Sequence, residues 1–328
     1  MTTPLWFQDQ ELAYLKGTNL FSNDTPPEQT SIGLQRGLYR EQWELRITEL
    51  KNAGELVDDF TWELFLWART IFSSRSFTSD LFTNKVGNSS FSVLYPVLEI
   101  FNHNLGTKVS WKFHSGDFSL CLEEKVEQGK QIFNNYSPKG NEDLLMGFGF
   151  CIPDNPYDQV AVRIGQISPD VHRQLHHSIP THWQSESWEP KKSVFHLRAT
   201  SQDTPDNSNM YGVPNLRCLR GIPPELAKSV YIIMLEHSKV SVSSNEVPDE
   251  KEIWVGTIDV LLHQMEATLM GITRWNGELL DLPSTAGGKA ALIYRTGQVK
   301  ILEGIISGLK AFMDPLRAGE IIIQDLFQ

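Results

Sequence analysis

Residues 94–150 constrain the chain more than any other stretch: an apolar strand pattern runs into Asn102-His103, a second short strand pattern ends just before Tyr136, and a short helix pattern closes on Phe148-Gly149-Phe150. Around them, between Ser92 and Ile164, the runs SVLYPVL, KVSWKF, FSLCLEE, KQIFNN and DQVAVRI are short strand candidates separated by Gly, Asn and Pro turn signals. Each feature taken alone has an ordinary structural explanation. Asn102-His103 reads as a turn, Tyr136 as a buried tyrosine with a satisfied hydroxyl, Phe148 and Phe150 as core, and Arg75 as a surface or helix-end cation. Their joint order and spacing carry the information.

Helical patterns flank this β-rich section. Tyr39, Trp43, Ile47 and Leu50 recur at steps of three and four, which predicts an amphipathic helix ending near Asn52-Ala53-Gly54. A second helix is expected after Thr61 as N-cap, with Leu64, Trp67, Ala68, Ile71 and Phe72 in one apolar stripe. After Ser168 the reading is helical, interrupted by the polar loop TSQDTPDNSN at 200–209. Three helices are expected there: one following Pro223-Pro224, one over roughly Trp254 to Met270, and one from about Lys289 to Met313.

The 328 residues can bury a sizeable core, and the length favours about two domains. With 29 basic against 40 acidic residues the net charge is −11, which argues against a phosphate-tracking nucleic-acid surface and suits a basic protein partner. Cys121, Cys151 and Cys218 are odd in number and far apart, so neither a disulfide framework nor a zinc cluster follows. His172 and His176 stand at helical spacing beside His177, without the carboxylate motif of a zinc site, so a solvated helix face is the reading and no metal is expected. No apolar run approaches the roughly 18 residues of a membrane span, and the N-terminus has no basic-then-apolar pattern. The expectation is a cytoplasmic or nuclear protein with no membrane partner.

The passage at 94–150 resembles the catalytic half of a SET domain, in the branch that includes the Rubisco large-subunit and ribosomal-protein lysine methyltransferases and the actin-histidine methyltransferases. The segment ALIYRTGQVKILEGIISGL resembles a recurring segment of that branch's helical substrate-binding domain. The resemblance implies an α+β fold: a β-rich SET-type core with an inserted helical segment, followed by a mostly α-helical C-terminal domain. The corresponding boundaries are 1–72 for the inserted helical segment, 73–166 for the β-rich catalytic half and 167–328 for the substrate-binding-like domain. The activity implied is transfer of a methyl group from S-adenosylmethionine to a lysine or histidine of a protein substrate.

Carried over residue by residue, the resemblance implies that Asn102 and His103 contact the cofactor, as does Arg75 in its SSRSF stretch. Tyr136 matches the tyrosine that orients the incoming nitrogen, and Phe148 and Phe150 match the aromatic wall of the target channel. Glu99 stands where relatives commonly have Asp. The family's Gly-x-Gly strand pair finds no counterpart, since TTPLWFQDQELAYLKGTNL matches sequence that follows those strands in relatives. This departure keeps a second expectation open. It is a repurposed SET scaffold without cofactor, binding a protein partner or confining an apolar small molecule for a cofactor-free, pericyclase-like cyclisation.

Overall fold

The computed structural model describes residues 2–22, 25–79, 91–114, 117–165, 167–175, 178–179, 193–199, 219–241, 249–279 and 282–320. The polar stretch at 200–209, His176, His177 and Cys218 lie outside the described residues.

The N-terminal part is helical. A short helix α1 (Asp9–Leu12) is followed by α2 (Ser31–Asn52) and α3 (Trp62–Arg75). The hydroxyls of Thr30 and Thr61 start the two long helices by accepting the backbone N–H of Gly33 and Leu64. Gly54, at φ +78°, lets the chain leave α2 in the left-handed region, where a Cβ is costly.

Short strands follow, in four pairs among the described residues. β1 (Ser76–Thr78) and β2 (Ser92–Leu94) are antiparallel, as are β4 (Val109–His114) and β5 (Asp117–Leu122). β3 (Asn102–His103) runs parallel to β6 (Phe133–Asn134), with Asn102 opposite Phe133 and His103 opposite Asn134. The strand expected over SVLYPVL stops at Leu94, because Pro96 cannot donate to a ladder, and a 3₁₀ turn at Leu98–Ile100 takes over. After α4 (Asn141–Phe148), β7 (Gln159–Arg163) pairs with β8 (Val194–Arg198) in antiparallel register, Val160 opposite Leu197 and Val162 opposite Phe195. β8 interrupts a region expected to be helical. Its five residues alternate buried Phe195 and Leu197 with exposed His196 and Arg198, a period of two that marks a strand.

The C-terminal part is helical as expected: α5 (Pro169–Leu175), α6 (Pro224–Ser241), α7 (Glu250–Thr273) and α8 (Ala286–Ala318). None of the described helices is long and apolar enough to cross a membrane. Two apolar cores result. One joins β7 and β8 to α6, α7 and the later half of α8, with Trp254, Leu226, Phe195 and Leu302 nearly inaccessible. The other joins Leu5, Phe7 and Leu15 near the N-terminus to Tyr39, Leu66 and Leu145, and is closed by Ala290, Ala291 and Tyr294 of α8. Thus α8 belongs to both, and α4, with Leu144 and Leu145 fully buried, is anchored beneath it.

Candidate functional site

The parallel pair β3–β6 sets the site. Beyond it, Asn104 N–H donates to Asn134 O at 3.0 Å, which holds the two strand ends in line. The chain then reverses: Asn135 Nδ2 donates to Leu105 O (3.3 Å) and Thr107 O (3.2 Å), and its Oδ1 accepts Ser137 N–H (3.0 Å). Ser137 adopts φ +74°, a backbone region few L-residues occupy. This turn presses Tyr136 onto His103.

Four contacts define the result. Tyr136 N–H donates to His103 Nδ1 at 3.0 Å, and the two rings stack with centroids 5.1 Å apart. The Tyr136 hydroxyl donates to Phe101 O at 2.7 Å. Phe148 lies 4.8 Å from the Tyr136 ring, and Phe150 lies 6.1 Å from His103. Phe148 and Phe150 flank Gly149, which caps α4 in the left-handed conformation at φ +78°. Arg75, the last residue of α3, donates from a guanidinium nitrogen to Glu99 O at 2.7 Å, tying the helix to the 3₁₀ turn that precedes β3.

His103, Tyr136, Phe148 and Phe150 therefore come together, with Arg75 close enough for its charge to act on Tyr136. Asn102 is exposed, and strand alternation turns its side chain to the face opposite His103, so its side chain stands apart from that cluster.

The electrostatics keep the cluster uncharged at its centre. Because His103 Nδ1 accepts a backbone N–H, its proton resides on Nε2, and burial lowers the imidazole pKa, so the ring is neutral. Burial raises the Tyr136 phenol pKa, partly offset by the Arg75 charge, so the hydroxyl stays protonated. Among the described residues, His103 Nε2 is buried without a hydrogen-bond partner, as is Glu99 Oε2. A buried donor left open costs about 1–3 kcal/mol, which a ligand acceptor would recover. Beside the cluster, an open groove of about 690 Å³ is lined by Leu105, Thr107, Lys108, Trp111, Glu123 and Asn135. No cluster of His, Cys, Asp and Glu suited to a metal occurs among the described residues, and Cys121 and Cys151 are free thiols.

Comparison with known proteins agrees with this architecture. No family model matches the chain. It is 29% identical over 317 residues, 95% of its length, to the ribosomal lysine N-methyltransferase set10 of Schizosaccharomyces pombe. Over 140 residues it is 35% identical to the ribosomal lysine N-methyltransferase 1 of Saccharomyces cerevisiae. Among solved structures, the SET domain of LSMT bound to lysine and AdoHcy superimposes with a TM-score of 0.58 at 16% identity, covering 97% of this chain and 69% of that one. Rubisco LSMT bound to AdoMet gives 0.59 over the same shares. The chain is similar to these ribosomal-protein and Rubisco lysine methyltransferases, and it has the fold of a SET domain. The α+β fold, with its helical C-terminal part, is the one expected from the sequence. The chain spans 53% of the S. pombe relative and 23% of the S. cerevisiae relative.

At the junction around α4, Tyr294 lies in the ALIYR segment that the sequence singles out, but nothing in the sequence pairs it with Glu142, or Asn141 with Asp158. The partners are brought together from distant parts of the chain.

Proposed function

We propose that this protein transfers a methyl group from S-adenosylmethionine to a lysine or histidine nitrogen of a basic protein. The observation that carries the reading is the packed, uncharged cluster of His103, Tyr136, Phe148 and Phe150 with the open Nε2–H donor of His103 at its edge. When bound, S-adenosylmethionine supplies an electrophilic methyl group on a sulfonium. The donor set fits such a group, because a neutral imidazole and a protonated phenol place hydrogen-bonding atoms near it without adding positive charge of their own.

His103, the strand backbone at Asn102 and the Arg75 guanidinium would hold the cofactor, Arg75 matching a carboxylate. Tyr136, whose hydroxyl donates to Phe101 O, keeps oxygen lone pairs free to accept an N–H of an incoming nitrogen and so to orient that nitrogen. Phe148 and Phe150 wall the approach with π-faces that tolerate a cationic methylated product. The net charge of −11 favours a basic partner.

Calorimetry of the purified chain with S-adenosylmethionine tests the first half of this reading: micromolar binding is expected. The second half is tested with tritiated S-adenosylmethionine and acid-extracted ribosomal proteins as the probe. Tyr136→Phe is expected to retain cofactor binding and lose roughly 100-fold in turnover, the scale of a reacting group misplaced by about 1 Å. An absence of heat at millimolar cofactor would overturn the proposal and favour a cofactor-free scaffold that binds a protein partner or an apolar small molecule. Undiminished transfer in Tyr136→Phe would remove Tyr136 from the role given to it.

A further inference from the structure

Helix α4 is eight residues long and carries different features at its two ends. Phe148 ends it, against the Tyr136 ring. Asn141 and Glu142 begin it, and both are gripped by other parts of the chain. Asp158 brackets Asn141, accepting its backbone N–H on Oδ1 and its amide on Oδ2, each at 3.0 Å. Asn141 Oδ1 accepts Ile152 N–H at 2.8 Å, so its amide is fully held. Glu142 Oε2 accepts the hydroxyl of Tyr294 at 2.6 Å, and one turn further along α8 Gln298 Nε2 donates to Gln159 O at 2.7 Å. Between them Gly297 faces Asp158 so closely that a Cβ would collide with Oδ2.

We propose that Tyr294 and Asp158 are positioning residues: through Glu142 and Asn141 they fix the tilt of α4 and thereby hold Phe148 against Tyr136. This rests on the reading of Phe148 as target-channel wall. A helix this short, about 12 Å long, behaves as a rigid lever, and Leu144 and Leu145 form its buried fulcrum. Displacing the grip at Asn141-Glu142 therefore moves the ring at the other end. The C-terminal helix α8 reaches the site by this route, through Glu142 and Gln159.

The grip is sensitive to pH. Burial raises the Asp158 pKa to about 6, against the pull of hydrogen bonds from Asn141 and Gln159, and the nearby Glu142 charge adds to the rise. The groups facing it are Glu142 on α4, Tyr294 on α8 and the Cys151 thiol on the turn after α4. Lys300 on α8 is engaged with Asp154. Above pH 6 the carboxylate accepts all three N–H donors; once protonated it has a proton to place and one acceptor position fewer. For stability the sign is opposite. A carboxyl whose pKa is raised by folding stabilises the fold below its ordinary value and loses that contribution as pH rises through about 6. Asp158 thus holds α4 most firmly in the ionised form that burial disfavours.

The test replaces Phe148 with 4-fluorophenylalanine in the full chain and records its ¹⁹F resonance without cofactor. A single resonance is expected at pH 7.5, shifting on acidification with a midpoint near 6. Tyr294→Phe, which removes one oxygen, should displace it at pH 7.5, and Asp158→Asn should abolish the titration. Arg295→Lys, on the same helix but bonded to other segments, should lower the melting temperature and leave the resonance in place. A resonance unmoved in folded Tyr294→Phe, or as displaced by Arg295→Lys as by Tyr294→Phe, overturns the proposal. Calorimetry with S-adenosylhomocysteine on the same fluorinated chain separates the two readings: a shifting resonance with no heat upholds the positioning and overturns the methyl-transfer reading alone.

Discussion

Removing the Arg295 side chain should cost the fold heavily. It is 3% exposed in the middle of α8, and its guanidinium gathers acceptors from three segments. One nitrogen donates to Lys16 O at 2.7 Å and, more weakly, to Tyr14 O at 3.5 Å; the other donates to Ile272 O and to Asn276 Oδ1 at 3.0 Å. None of these partners is a carboxylate. The charge is instead held by backbone carbonyls, those of Tyr14 and Ile272 belonging to the 3₁₀ turn Ala13–Leu15 and the last turn of α7, where helix dipoles present their negative ends. Burial lowers its pKa accordingly. Arg295→Met keeps most of the volume and removes every donor. Lys16 O is left without the guanidinium, while Ile272 O keeps a longer bond from Trp275 N–H at 3.4 Å. At about 1–3 kcal/mol for each buried acceptor stranded, and with the desolvation cost of the guanidinium recovered in part, the net loss is about 3 kcal/mol. At roughly 2 °C per kcal/mol for a chain of this size, the melting temperature falls by about 6 °C. Arg295→Lys, with three donors on one point, should lose about half as much. Urea unfolding followed by circular dichroism measures this directly, with an unchanged m-value confirming that the folded state is what changed. A methionine variant within about 0.5 kcal/mol of the parent would show that the carbonyls are satisfied without the guanidinium.

Two glycine-related positions give further tests. Gly149→Ala places a Cβ 2.7 Å from Thr2 C and 2.8 Å from Thr3 N at φ +78°, so both strain and a backbone clash apply. A loss of about 2–3 kcal/mol in urea unfolding is expected, and a loss under about 0.5 kcal/mol would mean that the N-terminal threonines are not seated on the α4 cap. Ser137→Gly relieves a left-handed backbone worth about 1–2 kcal/mol and surrenders about 0.5–1 kcal/mol of chain entropy. A higher urea midpoint is therefore expected, and a lower one would show that the serine side chain itself holds the turn.

Helical periodicity was legible where apolar residues face a core, as at 254–270 and 289–313. The observed helices extend to Glu250 and Ala286 because the side chains of Asp249 and Thr285 cap them, and a cap adds no apolar residue to the pattern. α2 begins eight residues earlier than its apolar spacing indicates, because Leu34 and Leu38 are exposed rather than buried and Gly33 and Gly37 break the stripe. At the candidate site, adjacency in sequence placed Asn102 beside His103, whereas a strand sends neighbouring side chains to opposite faces. The order of Tyr136, Phe148 and Phe150 was readable because turn and helix bring them together within a few residues. The Asn141–Asp158 bracket and the Glu142–Tyr294 bond were not, since the partners lie 17 and 152 residues apart and no local pattern, the ALIYR segment around Tyr294 included, says which residue meets which.

The same long-range contacts bear on how the chain unfolds. α8 gives Ala290, Ala291 and Tyr294 to the core that holds the N-terminal segment, and Ile301, Leu302, Ile305 and Leu309 to the core of the C-terminal helices. Thr285 at its start bonds Glu11 at 2.7 Å, and Gly287 lies against Phe7 and Glu11. Melting the C-terminal helices alone would strip α8 from Leu145 and Tyr39 and expose the second core as well. Calorimetric and van't Hoff enthalpies are therefore expected to agree, as for one cooperative unit. Two resolved transitions would mean that α8 divides near Gly297 into independently melting halves. The site end of α4 would then keep its place without the C-terminal core, and the control assigned to Tyr294 would have to come from the first two turns of α8 alone.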